Sequence, residues 1–234
     1  MQEMIKLAIA DDHTLFRKTL AEYLSKQSSF DVAITACNFS DLRDQLKSAQ
    51  IDVLLTDIYM PSATGMESLK TIRTEYPDLK IVVLSMSTDI KLVNELLDIG
   101  IYAFISKADE AEELVEAIIA AHNDQIYRNP YLTEALYLHK QINRDTNGDG
   151  LLNVLDDREK KVLRLLWQEK SNKDIAKEIF LSVRSVEKIR QDMKLKLGVK
   201  SMIGLLKYGL IHSIIEPTEI HVLDTSGYQR TMYA

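Results

Sequence analysis

Ile51-Asp52-Val53-Leu54-Leu55-Thr56-Asp57-Ile58-Tyr59-Met60-Pro61 is the stretch on which the fold of this chain turns. Its run of Val, Ile and Leu reads as a strand apolar on both faces, as in a parallel sheet covered by helices on each side. The run ends on a carboxylate where the chain must turn at proline. Ligands of open parallel sheets gather outside the carboxyl ends of the strands, so Asp57 is displayed where chemistry takes place.

On either side the pattern repeats. Met4 to Ala10 is an apolar run that meets Asp11 and Asp12. Leu15, Phe16, Leu20, Tyr23 and Leu24 follow at roughly helical spacing, and Phe30 to Cys37 is a second strand-like run. Ser40 is expected to cap a helix carrying Leu42 and Leu46. A helix over Gly65 to Tyr76 stops before Pro77, and Leu79 to Ser85 is the next strand. A helix through Val93, Leu96 and Leu97 ends at Gly100. Tyr102 to Ile105 is a fifth strand, and Asp109 to His122 a fifth helix with Leu114, Ile118 and Ile119 on one face. Five strands alternating with five helices predict a doubly wound, five-stranded parallel α/β domain, with helices placed on both faces by right-handed crossovers.

That topology brings Asp11, Asp12, Asp57, Ser85 and Lys107 to one edge. Three carboxylates in one pocket repel one another unless a cation is present, and an all-oxygen site suits Mg²⁺. Lys107 adds a mobile positive charge and Ser85 a hydroxyl donor. The set fits a carboxylate nucleophile, Asp57, that accepts a phosphoryl group while lysine and metal neutralise its oxygens.

The Asp11-Asp12 pair, Asp57 to Pro61 with Gly65, Ser85, and Phe104-Ile105-Ser106-Lys107 resemble the receiver domain of bacterial response regulators, a flavodoxin-like fold, over about residues 4 to 123. The resemblance implies that a sensor histidine kinase phosphorylates Asp57 and that Asp11 and Asp12 help to hold Mg²⁺. It also implies that Ser85 and Phe104 form a hydroxyl and aromatic switch, drawn inward on phosphorylation. Thr64 departs from the Asp or Asn common before the glycine. A Mg²⁺-dependent phosphotransferase-type enzyme resembling the haloacid dehalogenases is an alternative, but its second aspartate would stand at Tyr59.

Composition divides the chain. Of 234 residues 46% are hydrophobic and 27% charged, as in soluble globular proteins. No stretch approaches the ~20 apolar residues that span a bilayer and the amino end has no leader-like pattern, so a cytoplasmic protein with no membrane partner is expected. The single Cys37 excludes an internal disulfide and reads as a buried thiol. Residues 155–215 hold 14 Lys and Arg against 8 Asp and Glu, leaving 15 and 27 for the rest, so the net charge of -6 hides a basic segment suited to a polyanion.

In that segment Asp157 opens a helix with Val162, Leu163, Leu165, Leu166 and Trp167, and Ser171 opens one with Ile175, Ala176 and Ile179. Val183 to Leu197 follows a short turn and ends at Gly198, and Ser201 begins a last helix. Two helices joined by a tight turn in a small basic bundle make a helix-turn-helix unit. The segments Arg158 to Leu163, Ser171 to Ala176, Ser182 to Glu187 and Lys196 to Ser201 are similar to the LuxR-type domain of NarL/FixJ regulators, with Lys170 and Ile189 replacing a common glycine and histidine. The similarity implies double-stranded DNA as a partner. Glu187, Lys188 and Gln191 then face base edges, and Arg184, Ser185, Arg190 and Lys194 face phosphates. Homodimerisation is expected through the last helix, because two half-sites multiply a weak single-domain affinity.

The expected organisation is a receiver over 1–123, a linker over 124–154, the DNA-binding domain over 155–215 and an unassigned tail over 216–234, where residues 220–223 could form a short strand. Tyr131 to Ile142 has helical spacing. Beyond it Asp145, Asn147, Asp149, Leu151, Asn153 and Asp156 stand at the ligand spacing of an EF-hand loop, with glycine at its sixth place. This loop makes Ca²⁺ a second candidate ion and a calcium-responsive DNA-binding regulator a further alternative. A plain polar turn would use the same residue types.

Overall fold

Every residue of the central strand, β3 (Val53–Asp57), is buried, as its double-faced apolar run requires. In the computed structural model, which describes residues 4–60, 65–136 and 154–215, this strand lies in a five-stranded all-parallel sheet. Its companions are β1 (Ile5–Ala10), β2 (Phe30–Ala36), β4 (Lys80–Ser85) and β5 (Ala103–Ser106). The order β2-β1-β3-β4-β5 reverses direction at β1, so the carboxyl ends of β1 and β3 flank a crevice. Register pairs Ala10 with Thr56 and Asp57 with Leu84, which sets Asp11, Asp57 and Ser85 along one edge.

The helices of this half are α1 (Thr14–Ser25), α2 (Phe39–Leu46), α3 (Gly65–Glu75), α4 (Ile90–Ile99) and α5 (Ala111–His122). Helices α2, α3 and α4 neighbour one another on one face, while α1 packs on β1 and β2, and α5 on β3, β4 and β5. Gly65 is required where it stands: a Cβ there would lie 1.8 Å from the Ile58 carbonyl oxygen, so only glycine seats α3 beside the loop after Asp57.

Four local expectations change. Asn38, not Ser40, caps α2, its side chain accepting from the Asp41 N–H at 2.9 Å. Cys37 is exposed rather than buried, because edge strand β2 ends one residue earlier. Helix α5 begins at Ala111, and Asp109 instead accepts from the Ser106 N–H at 2.9 Å. Leu15 and Ile119 face solvent, off the stripes that meet the sheet.

A helical stretch over 130–136, α6, follows, and Leu138 and Ile142 of the expected linker helix lie outside the described residues. The second bundle comprises α7 (Asp157–Trp167), α8 (Asn172–Glu178), α9 (Val183–Leu197) and α10 (Met202–Ile211). Trp167, Leu163, Ile175, Val186, Met193 and Leu205 form its core, burial that stabilises by roughly 1.5–3 kcal/mol per large side chain. Ser171, Ser182 and Ser201 each cap a helix with the side-chain oxygen. Gly198 ends α9 in the left-handed region at φ 67°.

Asp156 and Glu159 form a capping box, exchanging hydrogen bonds of 2.8 and 2.9 Å with each other's backbone. Of the EF-hand-like pattern, Asp145 through Asn153 lie outside the described residues, and its last position, Asp156, is spent as this N-cap. The tail over 216–234 and Thr64 are likewise outside them.

Candidate functional site

The crevice at the carboxyl ends of β1, β3 and β5 gathers the expected pocket. Asp11 is 1% and Asp57 3% exposed, and the Lys107 Nζ reaches Asp11 Oδ2 at 2.7 Å and Asp57 Oδ2 at 2.5 Å. The other oxygen of Asp57 accepts from the Tyr59 N–H at 2.9 Å, so both ends of the carboxylate are oriented. Burial would lower the Lys107 pKa, but hydrogen bonds and charge from Asp11 and Asp57 outweigh it, and the ammonium is held above its usual range.

Carboxylate oxygens of Asp11, Asp12 and Asp57 and a nitrogen of His13 lie within 4.8 Å of one another. Oδ2 of Asp11 and Oδ1 of Asp12 are shielded from solvent; the first is met by the Lys107 ammonium at 2.7 Å, and the second has no hydrogen bond and lies 3.0 Å from Nδ1 of His13. Acceptors left open in a mostly oxygen donor set fit a hard divalent cation. Sequence reasoning passed over His13, whose place directly after the aspartate pair was the available signal.

Ser85 is fully buried at the end of β4, and its Oγ accepts from the Ser87 N–H at 3.1 Å. Phe104 is also fully buried, edge-on to Tyr131 at 5.9 Å, so its ring already lies inward. The expectation that it starts outside and is drawn in therefore has no counterpart here. Tyr59 brings only its backbone N–H to the pocket, with no second acid. A buried carboxylate oriented beside a charged lysine and open acceptors can act as a nucleophile toward a phosphoryl group.

The expected DNA residues divide along α9. Arg184, Glu187, Lys188 and Gln191 are exposed, Ser185 is half-buried at the capped start, and Lys194 is half-buried. Arg190 is 3% exposed, its guanidinium paired with the Asp124 carboxylate and donating to Asn172 Oδ1 at 2.5 Å. Arg190 is therefore not free for a phosphate in this arrangement.

Asp124, at a left-handed φ of 60°, also accepts from Lys80 Nζ at 2.7 Å and the Tyr102 hydroxyl at 2.5 Å. Burial would raise its pKa, but Arg190 and Lys80 more than offset this and hold it below the usual carboxylate range. These partners lie at the amino-terminal edge of the sheet, so α9 docks at the edge opposite Asp57.

Further contacts reinforce the docking. Lys207 of α10 pairs with Asp98 of α4. Arg128 bonds Glu169 at 2.6 Å and lies 4.4 Å over the Trp167 ring, and Gln125 donates to the Glu169 carbonyl. A Cβ on Gly100 would come within 2.5 Å of Ser201 Cβ, so the close approach needs glycine. Between the receiver edge and α9 lies a cleft of about 200 Å³ to which Glu187, Gln191 and Lys194 contribute.

Comparison with known proteins agrees with both halves. Residues 7–119 match the response regulator receiver domain, and residues 153–208 match the bacterial regulatory proteins of the luxR family. The oxygen regulatory protein NreC of Staphylococcus aureus is 31% identical over 216 residues, which cover 91% of this chain and 100% of NreC. The RcsB response regulator of Salmonella typhimurium superposes with a TM-score of 0.55 at 25% identity, covering 89% of this chain and 98% of RcsB. RcsB from Salmonella enterica serovar Typhimurium, solved bound to promoter rprA in the presence of phosphomimetic BeF3-, gives 0.51 at 25% identity over 88% and 98%. With both domains matched in order along nearly its whole length, this chain belongs to the NarL/FixJ, LuxR-type two-component response regulators.

Proposed function

We propose that Asp57 accepts a phosphoryl group from a sensor histidine kinase, with Mg²⁺ held by Asp11, Asp12 and Asp57, and that this controls homodimerisation and operator binding through α9. The observation that carries the reading is Lys107 bridging Asp11 and Asp57 while neighbouring carboxylate oxygens stay open. The Tyr59 N–H and Lys107 orient the Asp57 carboxylate for in-line attack. Lys107 then exchanges its contact with Asp57 for one with the new phosphoryl oxygens, and the Ser85 hydroxyl turns from the Ser87 N–H to donate to them. When bound, Mg²⁺ would neutralise charge on the transferring group.

Helix α4 follows Ser85 and carries Asp98, the partner of Lys207 on α10. Movement of the segment after Ser85 would weaken that pair, free α10 for a second copy and release α9 from Asp124. Arg184, Ser185 and Lys188 are then assigned to the duplex at once. Glu187, Gln191 and Lys194 join them once the cleft opens, and Arg190 once its ion pair is broken. The complex of the related RcsB with a promoter supports DNA as the partner, and among the described residues no helix is long and apolar enough to cross a membrane.

Incubation with acetyl phosphate and Mg²⁺, read by intact mass, should add one phosphoryl group to the wild-type chain and none to Asp57→Ala. An unlabelled wild type, or a labelled Asp57→Ala, would refute this reading.

A further inference from the structure

The cleft between α9 and the amino-terminal edge of the sheet carries more positive charge than its own residues neutralise. Arg73, Lys80, Arg190, Lys194 and Lys200 line it, against Asp78, Asp124 and Glu187. Asp124 is already shared by Lys80, Arg190 and Tyr102. Among the described residues, Asp78 and Glu187 form no ion pair with the remaining cations, and the side chains of Lys194 and Lys200 have no hydrogen bond or ion pair. The Nε atoms of Arg73 and Arg190 are buried without a hydrogen-bond partner. Burial lowers the Lys194 pKa; Asp124 opposes this, and the charges of Arg190, Lys80 and Arg73 push it further down. Donors without acceptors and crowded cations around about 200 Å³ of polar space describe a site that lacks an anion.

We propose that this interdomain cleft binds a small phosphate-class oxyanion, of about pyrophosphate size, which bridges the receiver edge to α9. Lys194 and Lys200 supply its charge-assisted hydrogen bonds. The site is distinct from Asp57, which lies at the other end of the strands. A DNA duplex does not fit a cleft of this size, and Lys194 cannot serve the anion and a DNA phosphate at once. By linkage the anion therefore favours the docked arrangement and opposes DNA binding.

Titration calorimetry of the full chain with inorganic pyrophosphate, in EDTA to keep divalent cations from the Asp57 pocket, tests this. Saturable binding is expected for wild type and equally for Asp57→Ala. Lys194→Ala and Lys200→Ala should each weaken it by about tenfold, the loss of one hydrogen bond to a charged group, and Lys194→Arg should retain it. Lys200 is exposed, so its variant keeps the test open if Lys194→Ala does not fold. No saturable binding to wild type, binding unchanged in both alanine variants, or binding lost in Asp57→Ala would each overturn the proposal. A second arm rests on the reading of α9 as the DNA helix: pyrophosphate should weaken DNA binding more than a salt of equal ionic strength. Failure of that arm with binding intact would count against the linkage to DNA and leave the anion site standing.

Discussion

The two ends of one sheet treat their carboxylates in opposite ways. At the carboxyl end Asp11 and Asp57 share one lysine, and a shielded oxygen of Asp12 has no hydrogen-bond partner. At the amino end Asp124 is met by Lys80, Tyr102 and Arg190, the last of them contributed by the other domain. A carboxylate whose acceptors are used up fixes an interface, and removing one partner leaves an uncompensated charge. A carboxylate whose acceptors are left open costs stability and is kept where a cation or a reacting group completes it. Satisfaction, more than burial, separates the reactive end from the docking end.

The contrast can be broken most severely at Lys107. In Lys107→Ala the pocket keeps its carboxylates and loses the ammonium that Asp11 and Asp57 share, so phosphoryl incorporation from acetyl phosphate should slow by roughly 10²–10³, the scale of one electrostatic stabiliser. The same variant should gain more thermal stability from added Mg²⁺ than wild type does, and an equal gain would argue against open acceptors as a cation site. At the opposite end, Asp124→Ala leaves Arg190 and Lys80 without their shared partner and should cost about 2 kcal/mol of interdomain stability. Scattering at neutral pH should show this variant extended where wild type is compact.

The Asp124 carboxyl also gives the docking a pH dependence. Its folded pKa lies below the ordinary 3.8, so its contribution is present above that value and is lost as pH falls through the lower folded value. Wild type should stay docked from neutral pH down to about pH 4, close to that ordinary carboxylate pKa. Gly100→Ala should loosen the docking by about 1 kcal/mol, since φ is 89° there and the added Cβ meets Ser201. Asp98→Ala should likewise loosen the docking by about 1 kcal/mol in a melting comparison, because Asp98 is largely exposed but Lys207, itself buried, is left without its partner.

The reactive end was legible because strand order alone brings its residues together. Apolar runs located the strands, the carboxylates stood at their ends, and parallel topology placed Asp11, Asp12, Asp57 and Lys107 at one edge. Helix α9 was also legible from its start at Val183 to Gly198, since Ser182 and the glycine are strong local signals. The docking end was not. Asp124 and Arg190 are 66 residues apart and Asp98 and Lys207 are 109 apart, and no local pattern links them. One signal went unread: Arg190 falls four residues after Val186 and three before Met193, on the buried stripe of α9, so helical spacing alone placed it inside. Cys37 failed for the opposite reason, because the apolar run continued one residue past the edge strand.

The central claim is that a phosphoryl group at one end of the sheet releases α9 from the other. Spin labels at the exposed positions Thr74 and Lys188, in a Cys37→Ser background diluted with unlabelled chain, report that separation directly. A single short distance that lengthens on addition of acetyl phosphate and Mg²⁺, and stays short in Asp57→Ala, is the expected result. A distance unchanged in protein shown by mass to be phosphorylated would contradict the account.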